Sequence, residues 1–310
     1  MTPRLLVTGA GGFIGSQVVT AARTVPGVRL RLLARRVAPL GDAVADERTE
    51  FVYGDLADPA SLRGSCAGVD AVIHCASLVG GDEEAARTVN DLGTRALVEE
   101  AGRSGVGRIV SLSTAAVYGR GPFTELLPDR APLAPVSATS RSRAAAERHV
   151  LDSGGAVLRP HLVYGEGDRW VVPGLAGLLR QLSASGIRSG ARHSLIDVAT
   201  LGRALLAAAL SPHEPKGVYH VNHPEPVTCS ELVSRVTGEL GLPWAGPGIG
   251  LGAARARLST SPGALHHLEM LAVDHWFADD RPWSDLGCDP GAGFAAEFGR
   301  HAPWYRKLLS

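Results

Sequence analysis

The chain has 310 residues, 45% of them hydrophobic, and its 31 basic side chains balance its 31 acidic ones. This neutral composition is typical of a globular protein and gives no reason to expect nucleic acid or a membrane surface as a partner. The four cysteines form no CxxC motif and no apolar run is long enough to span a bilayer, so we expect a cytoplasmic protein with reduced thiols and no bound metal.

Short apolar runs alternate with helical patterns along the first half of the chain. We predict strands at 4–8, 28–34, 51–53, 71–74, 108–113 and 155–159, and helices at 13–24, 83–103 and 137–152. Strands that alternate with helices form a parallel sheet with helices on both faces. The predicted fold class is therefore α/β, with a doubly wound parallel sheet.

A glycine-rich turn joins the first predicted strand to the first predicted helix. Residues 8–15 read TGAGGFIG, with glycines at positions 9, 12 and 15 and the helix starting at Phe13 and Ile14. In such a turn the glycines permit the tight bend, the approach of a pyrophosphate and the packing of helix on strand. The helix N-terminus attracts the phosphates. We therefore predict a Rossmann-type site in which Gly9, Gly12, Phe13, Ile14 and Gly15 bind a dinucleotide.

The residues after the second strand favour one of the two nicotinamide dinucleotides. NAD sites usually carry an acidic side chain here, which accepts hydrogen bonds from the ribose hydroxyls. No acidic residue occurs between Val28 and Gly41, and Arg35 and Arg36 follow the strand. A guanidinium can pair with a 2′-phosphate, so we predict NADP(H). Two solvated arginines in an arginine-rich chain are the alternative.

The pattern loosens after residue 164, where proline, glycine and tryptophan become frequent. We predict an NADP-binding Rossmann domain of residues 1–164 and 191–222, and a smaller, mostly C-terminal substrate-binding or lid region of residues 165–190 and 223–310.

The start of the second region offers candidates for substrate contact. Tyr164 stands at the domain junction and could reach the cleft. Trp170 and the apolar residues at 171–179 would suit a lid over a flat hydrophobic ligand, although a packed helix is an equally good interpretation.

Further motifs, taken in order, resemble the signatures of the extended short-chain dehydrogenase/reductase family. They are GDL at 54–56, GVDAVIHCA at 68–76, VNDLGT at 89–94, VYG at 117–119, LRP at 158–160, VYG at 163–165, GVYHV at 217–221, DLG at 285–287 and WY at 304–305. The resemblance covers essentially the whole chain. Because the family includes nucleotide-sugar epimerases and dihydroflavonol-type ketoreductases, it implies a nicotinamide-dependent oxidoreductase.

The resemblance also implies which residues line the cofactor. They are Asp55 and Leu56 at the adenine, Cys75, Ala76 and Ser77 near the nicotinamide ribose, and Pro160 and His161 at the carboxamide.

The catalytic positions implied by the resemblance are only partly filled. Thr114 matches the Ser or Thr that polarises the substrate carbonyl, and its neighbour Ser113 could also donate a hydrogen bond to that oxygen. Asn90 matches a helical Asn near the active site. The family's Tyr-x-x-x-Lys pair aligns with Thr139 and Arg143. The usual acid and its lysine partner are therefore missing.

This replacement limits the chemistry. The aliphatic hydroxyl of Thr139 is a far weaker acid than a phenol, whose pKa is about 10. Arg143 keeps its charge and could hold the ribose hydroxyls, but it does not relay protons. The proton must come from water, held by Thr139 or Asn90, or from a phenol or enol of the substrate.

One-way reduction fits such a site better than epimerisation, which needs a base to remove a hydroxyl proton. Atypical members of this family that lack the Tyr-Lys pair reduce ketones on aromatic polyketide (angucyclinone) antibiotics, and this chain resembles them. We therefore expect an NADPH-dependent ketoreductase, monomeric or homodimeric, whose polycyclic aromatic ketone contacts Ser77, Thr114, Tyr164 and Trp170. A nucleotide-sugar 4-ketoreductase or epimerase and a non-catalytic NADP-binding sensor are the alternatives.

Overall fold

The computed structural model describes residues 2–37, 46–182, 187–243 and 248–310. Its strands are β1 (Arg4–Thr8), β2 (Arg29–Ala34), β3 (Thr49–Tyr53), β4 (Ala71–His74), β5 (Arg108–Leu112), β6 (Phe123–Leu126), β7 (Ala156–Arg159), β8 (Leu162–Tyr164), β9 (Arg192–His193), β10 (Leu195–Asp197), β11 (Gly217–His220), β12 (Val227–Thr228) and β13 (His275–Phe277). Its helices are α1 (Phe13–Arg23), α2 (Glu83–Ala86), α3 (Gly93–Arg103), α4 (Ala138–Asp152), α5 (Val171–Gln181), α6 (Val198–Leu210), α7 (Cys229–Leu240), α8 (Leu251–Arg257), α9 (Pro262–Ala272), α10 (Arg281–Ser284), α11 (Phe294–Glu297) and α12 (Ala302–Leu309).

The main sheet within these residues has seven parallel strands in the order β11-β7-β5-β4-β1-β2-β3. Alternate residues of β1 point to opposite faces, as strand geometry requires. Leu5 and Val7 pack with α1 and α6 on one face, and Leu6 packs with α3 and α4 on the other. The predicted doubly wound α/β fold is confirmed.

A second hydrophobic core lies outside the main sheet. It is built from α5, α7, α9 and α12, with Tyr164, Phe298 and Tyr305 among its buried aromatic residues. Beside it lie two small sheets, one with the order β10-β8 and the other with the order β12-β9-β13-β6. The strand β6 belongs to the predicted Rossmann part of the sequence but pairs with β13 of the C-terminal region.

The long helix predicted over 83–103 is interrupted. A π-helical segment, Arg87–Leu92, separates α2 from α3. Such segments occur frequently at functional sites, and this one carries Asn90. Within the described residues, no helix is both long and apolar enough to cross a membrane.

Candidate active site

The turn between β1 and α1 has the form that the glycine spacing predicts. Gly9 has φ +69°, and a Cβ there would lie 2.6 Å from the Ala76 backbone nitrogen. A Cβ on Gly15 would collide with the Gly9 carbonyl oxygen. The helix and the turn can therefore contact each other only because these two residues are glycines. The Gly12 amide donates to the Gly9 carbonyl (2.9 Å), which closes the turn at the start of α1. This shape leaves the helix N-terminus open to an anion.

A cleft runs from this turn along the carboxyl ends of β1, β2 and β4, where doubly wound folds hold their ligands. Nine of its lining residues are predicted cofactor residues: Gly9, Gly12, Arg35, Arg36, Asp55, Leu56, Cys75, Ala76 and Ser77. Seven further lining residues are Ala10, Gly11, Leu33, Ala34, Gly54, Leu78 and Val89. Ala10, Gly11, Gly54 and Val89 belong to the motifs named above but were not predicted to contact the cofactor, whereas Leu33, Ala34 and Leu78 belong to none of them. The arrangement fits a dinucleotide.

Arg35 and Arg36 are exposed at the end of β2, in the wall of this cleft. Asp55, the acidic residue in the same wall, uses one carboxylate oxygen to accept from the Ala57 amide (2.9 Å). The charges beside the predicted ribose position are therefore mainly positive. This favours a ribose that carries a 2′-phosphate over one with free hydroxyls.

Thr114 lies where the chain leaves β5. The flanking amides hold this corner against the segment after β7: Ser113 N donates to the Leu158 carbonyl (2.7 Å) and Ala115 N to the Pro160 carbonyl (2.8 Å). The Thr114 hydroxyl oxygen accepts from the Ala116 amide (3.2 Å) and is half-buried. An oxygen that accepts from the backbone still has its own hydrogen to donate. Thr114 can therefore donate a hydrogen bond to a substrate oxygen.

Ser113 has a different environment from the one that we predicted. Its hydroxyl is buried and donates to the Glu147 carboxylate. Glu147 in turn accepts two hydrogen bonds from Arg159, from Nε (2.9 Å) and Nη2 (2.5 Å). Burial acts to lower the pKa of Arg159, but its hydrogen bonds and charge interaction with Glu147 outweigh burial and raise it. Because the Ser113 hydroxyl proton is bound to the carboxylate of this ion pair, Ser113 holds the Thr114 corner in place and is not free to donate to a substrate.

Asn90 also differs from its predicted role. Its side-chain oxygen accepts from the Leu78 amide (2.7 Å) and the Ser77 hydroxyl (3.2 Å). Its side-chain nitrogen donates to the Leu78 carbonyl (3.0 Å) and the Ser142 hydroxyl (3.0 Å). Because an amide offers two donors and two acceptor positions, Asn90 has none left for a water. It fixes the Ser77–Leu78 loop, which lines the cleft.

Thr139 and Arg143 lie on α4, one turn apart. The Thr139 hydroxyl accepts from the Gly80 amide (3.1 Å). The Arg143 guanidinium donates to the Leu112 carbonyl (2.6 Å) and shares a small cavity with Ala76 and Ser77. Burial lowers the pKa of Arg143, against the opposing effect of Glu147. A cation therefore occupies the position of the family's lysine, with a hydroxyl in place of the phenol.

The two strand-end residues His74 and Cys75 show no sign of reactivity. His74 is buried between the hydroxyls of Thr8 (2.7 Å) and Thr94 (2.9 Å), and burial lowers its pKa to about 4. Burial raises the pKa of the Cys75 thiol to about 12. A neutral thiol is a poor nucleophile, so Cys75 contributes packing beside the cofactor cleft.

Tyr164 does not reach the cleft. It is 2% exposed and packs its ring against Phe294, Phe298 and His301 in the second core. Burial raises its pKa far above that of a free phenol. The prediction that Tyr164 contacts substrate is wrong, because the apolar C-terminal segment folds over its ring.

The other four tyrosines do not replace the missing acid either. Tyr118 accepts from Arg159 (2.6 Å) and bonds to His220 (2.8 Å) behind the Thr114 corner. Tyr305 donates to Asp168 (3.0 Å) in the second core. Tyr53 is exposed, and Tyr219 lies under Arg281.

The proposed lid divides into two parts. Trp170 is 61% exposed. The following apolar residues of α5 are buried in the second core, namely Val172, Leu175, Leu178 and Leu179. Gly167 approaches the Phe13 ring, so the loop before Trp170 lies beside the start of α1. The helix is therefore a packed core element, and the predicted contact of Trp170 with substrate stays a prediction.

His161 follows Pro160 at the same corner and lies in a group of histidine rings. Its ring centroid is 5.2 Å from that of His275 and 6.3 Å from that of His193, with all three planes within 16° of parallel. Burial lowers the pKa of His161 well below its usual range and that of His193 to about 4, so both are neutral at neutral pH.

Comparisons with known proteins agree with this fold. The NAD dependent epimerase/dehydratase family matches residues 5–177. A 2-alkyl-3-oxoalkanoate reductase of Stenotrophomonas maltophilia (strain K279a) is 30% identical over 319 residues, 93% of this chain and 94% of that protein. A decarboxylating sterol-4-alpha-carboxylate 3-dehydrogenase of Mus musculus is 27% identical over 252 residues, 74% of this chain and 67% of that protein.

A solved structure shows the same architecture. The dTDP-glucose 4,6-dehydratase DesIV of Streptomyces venezuelae, with NAD and TYD bound, superimposes with a TM-score of 0.75 at 24% identity, covering 98% of this chain and 97% of that one. The predicted oxidoreductase class is confirmed by these relatives. The chain belongs to the NAD dependent epimerase/dehydratase family of extended short-chain dehydrogenases and reductases, as its ordered motifs predict.

Proposed function

We propose that this protein is an NADPH-dependent ketoreductase that reduces a carbonyl of a flat hydrophobic substrate. The observation that carries this proposal is the state of two threonine hydroxyls, those of Thr114 and Thr139. Thr114 keeps a hydrogen for a substrate oxygen, and Thr139 stands at the position of the usual acid with its oxygen bound to the Gly80 amide. The site is thus equipped to bind an oxyanion and lacks a phenolic acid.

The cofactor supplies the hydride. The protein's part is to place it, with the glycine turn at the pyrophosphate and Arg35 and Arg36 at the 2′-phosphate. Arg143 holds a positive charge in the small cavity that Ser77 shares with the cleft. That charge can hold the ribose hydroxyls and also favours negative charge developing nearby.

The proton comes from water or from the substrate itself. Asn90 has no hydrogen-bonding capacity left for a water, which leaves Thr139 as the residue that can position one. A substrate with a phenol or enol beside its ketone needs no such water, because it can donate the proton internally. A polycyclic aromatic ketone, such as an angucyclinone intermediate of antibiotic biosynthesis, has this property. The exposed ring of Trp170 offers an apolar surface on which such a ligand could pack.

Reduction of a nucleotide 4-ketosugar is the second candidate, because DesIV of similar fold has TYD bound. Epimerisation is less well supported, since it begins with removal of a hydroxyl proton and the site has no phenolic base. A non-catalytic NADP-binding sensor is the remaining alternative.

The test is NADPH oxidation with a panel of three ketone classes: a polycyclic aromatic ketone with a neighbouring phenol, a 3-oxo acid and a nucleotide 4-ketosugar. We expect turnover of the first. Thr114→Ala should lower kcat by about 100- to 1000-fold, the usual loss of an oxyanion donor.

Thr139→Ala is the matched control, because it removes the same groups from the other threonine. The kcat of this variant should fall by less than about tenfold if Thr139 only orients water. NADPH binding without turnover of any ketone would favour the sensor. Complete loss in a folded, NADPH-binding Thr139→Ala variant would contradict our assignment of the two threonines.

A further inference from the structure

Three histidines that are distant in sequence meet beside the Thr114 corner. His193 and His275 face each other on the paired strands β9 and β13, and His161 precedes β8. Their candidate ligand nitrogens all lie within 4.8 Å of one another. His193 and His275 are 1% and 2% exposed, and His161 is half-buried.

The Nε2 atoms of all three rings are buried and have no hydrogen-bond partner in the part of the chain that the structure describes. Buried polar atoms without partners are rare in native proteins, and each one requires an explanation. The nearest aromatic neighbour, Phe277, is apolar and lies 5.2 Å from the His161 ring. Three such atoms in one place indicate a common ligand.

The protonation of His275 identifies the kind of ligand. Its Nδ1 lies 3.1 Å from the Val273 carbonyl oxygen and must carry a hydrogen to bond to it. The neutral ring then presents a lone pair at Nε2. Metal-binding histidines commonly donate their other ring nitrogen to a backbone carbonyl in this way. With all three rings in this tautomer, a single water could donate to only two of the three lone pairs, whereas a cation can accept all three.

We propose that His161, His193 and His275 bind one zinc-class divalent transition-metal ion through their Nε2 atoms, with a fourth position for water. Neutral imidazole is a preferred ligand of zinc, and three histidines with one open position form a known type of zinc site. Zn–N bonds of about 2.0–2.1 Å hold tetrahedral ligand atoms about 3.3 Å apart, so small ring rotations must tighten the cluster.

An acidic neighbour supports a cation here. The Asp274 carboxylate interacts electrostatically with both His193 and His275. It is held in place by the Arg192 amide (2.8 Å) and the Thr124 hydroxyl (3.0 Å). A bound ion would tie the segment after β7 to the small sheet of β9 and β13. This inference is independent of the proposed function, because metal binding is measured without substrate.

The experiment uses tag-free protein that has been dialysed against a chelator. Titration with Co²⁺, followed by visible absorption, and competition for Zn²⁺ with a chromophoric chelator give the stoichiometry and affinity. We expect one ion per chain. His193→Gln and His275→Gln should each weaken Zn²⁺ binding by more than about tenfold, since loss of an outer-shell partner alone costs that much.

His213→Gln is the matched control, because His213 is exposed and lies outside the cluster. It should leave Zn²⁺ affinity unchanged. His161→Asn provides a second ligand variant at a half-buried position, where packing is disturbed least, and circular dichroism verifies folding. A wild-type protein that binds no ion, or folded ligand variants that bind as tightly as His213→Gln, would overturn the proposal.

Discussion

Single side chains carry both the proposed preference for NADPH and the replacement of the family's usual acid. Arg35 follows β2 without an acidic residue at the place where an NAD site usually has one, and the short sequence VRLRLLAR that ends at Arg35 is enough to show this. The role of an isolated residue can be inferred from sequence when, as here, it depends on a motif within a few positions. The roles of Ser113 and Asn90 depend instead on partners supplied by α4 and the loop after β4, and so sequence reasoning assigned both to catalysis without foreseeing those partners.

Arg35→Ala should weaken NADPH binding roughly 10- to 100-fold, which is the usual contribution of a charge-assisted hydrogen bond to phosphate. NADH binding should change little, because NADH has no 2′-phosphate. Fluorescence titration with both cofactors measures the two affinities. Arg29→Ala, at the exposed opposite end of β2, is the control. An equal loss for NADPH and NADH would remove the phosphate assignment.

The helix α4 shows how one element serves both the site and stability. Thr139 binds the Gly80 amide, and Arg143 lines the small cavity that Ser77 shares with the cleft. One turn further, Glu147 pairs with Arg159 of β7, with side chains 2% and 3% exposed. The sequence predicts this helix over 137–152, and in the structure the Ser137 side chain caps its start. The buried ion pair was not predicted, because its partners lie on different elements that meet only in the folded sheet.

Glu147→Gln should lower the free energy of unfolding by about 3–5 kcal/mol, because it leaves the buried charge of Arg159 without a counter-charge. Glu83→Gln is the matched control. Glu83 of α2 pairs with Arg141 of α4 at 3.0 Å, but both side chains are largely exposed (70% and 44%). That pair should contribute about 0–1 kcal/mol. Urea unfolding of the two variants measures the difference. A similar loss of unfolding free energy in both variants would mean that the buried pair does not stabilise α4 more than the exposed pair does.

At the scale of the whole molecule, Asp197 joins the C-terminal segment to the start of α6. Its carboxylate caps α6 through the amides of Ala199 and Thr200 and also binds Arg300 (2.7 Å) and His301 (2.6 Å). Burial acts to raise the pKa of Asp197, but its hydrogen bonds to His301, Arg300 and the Thr200 amide outweigh burial and lower it to about 2.

This lowered pKa predicts a pH dependence. A carboxyl whose pKa is lower in the folded state stabilises the protein at pH values above its unfolded pKa of about 3.9, and the stabilisation disappears as the pH falls toward the folded value. The contribution is about 2 kcal/mol. Asp197→Asn should therefore be less stable than wild type by a constant amount from pH 7 to about 4, and the gap should narrow below pH 4. Denaturant unfolding of both proteins at several pH values measures this difference in the free energy of unfolding. A difference that stays unchanged down to pH 3 would contradict the prediction.

The sequence by itself determined the doubly wound fold, the dinucleotide turn and the absence of the Tyr-Lys pair, because each depends on neighbours in the chain or on motifs in a fixed order. Only the tertiary structure decided that Tyr164 is buried, that Ser113 and Asn90 are fully bonded, and that His161 meets His193 and His275. Those outcomes depend on which side chains from distant segments share a hydrogen-bonding partner or an apolar contact. Spacing along one chain carries no such information, since the meeting is produced by packing of the sheet, its helices and the C-terminal segment.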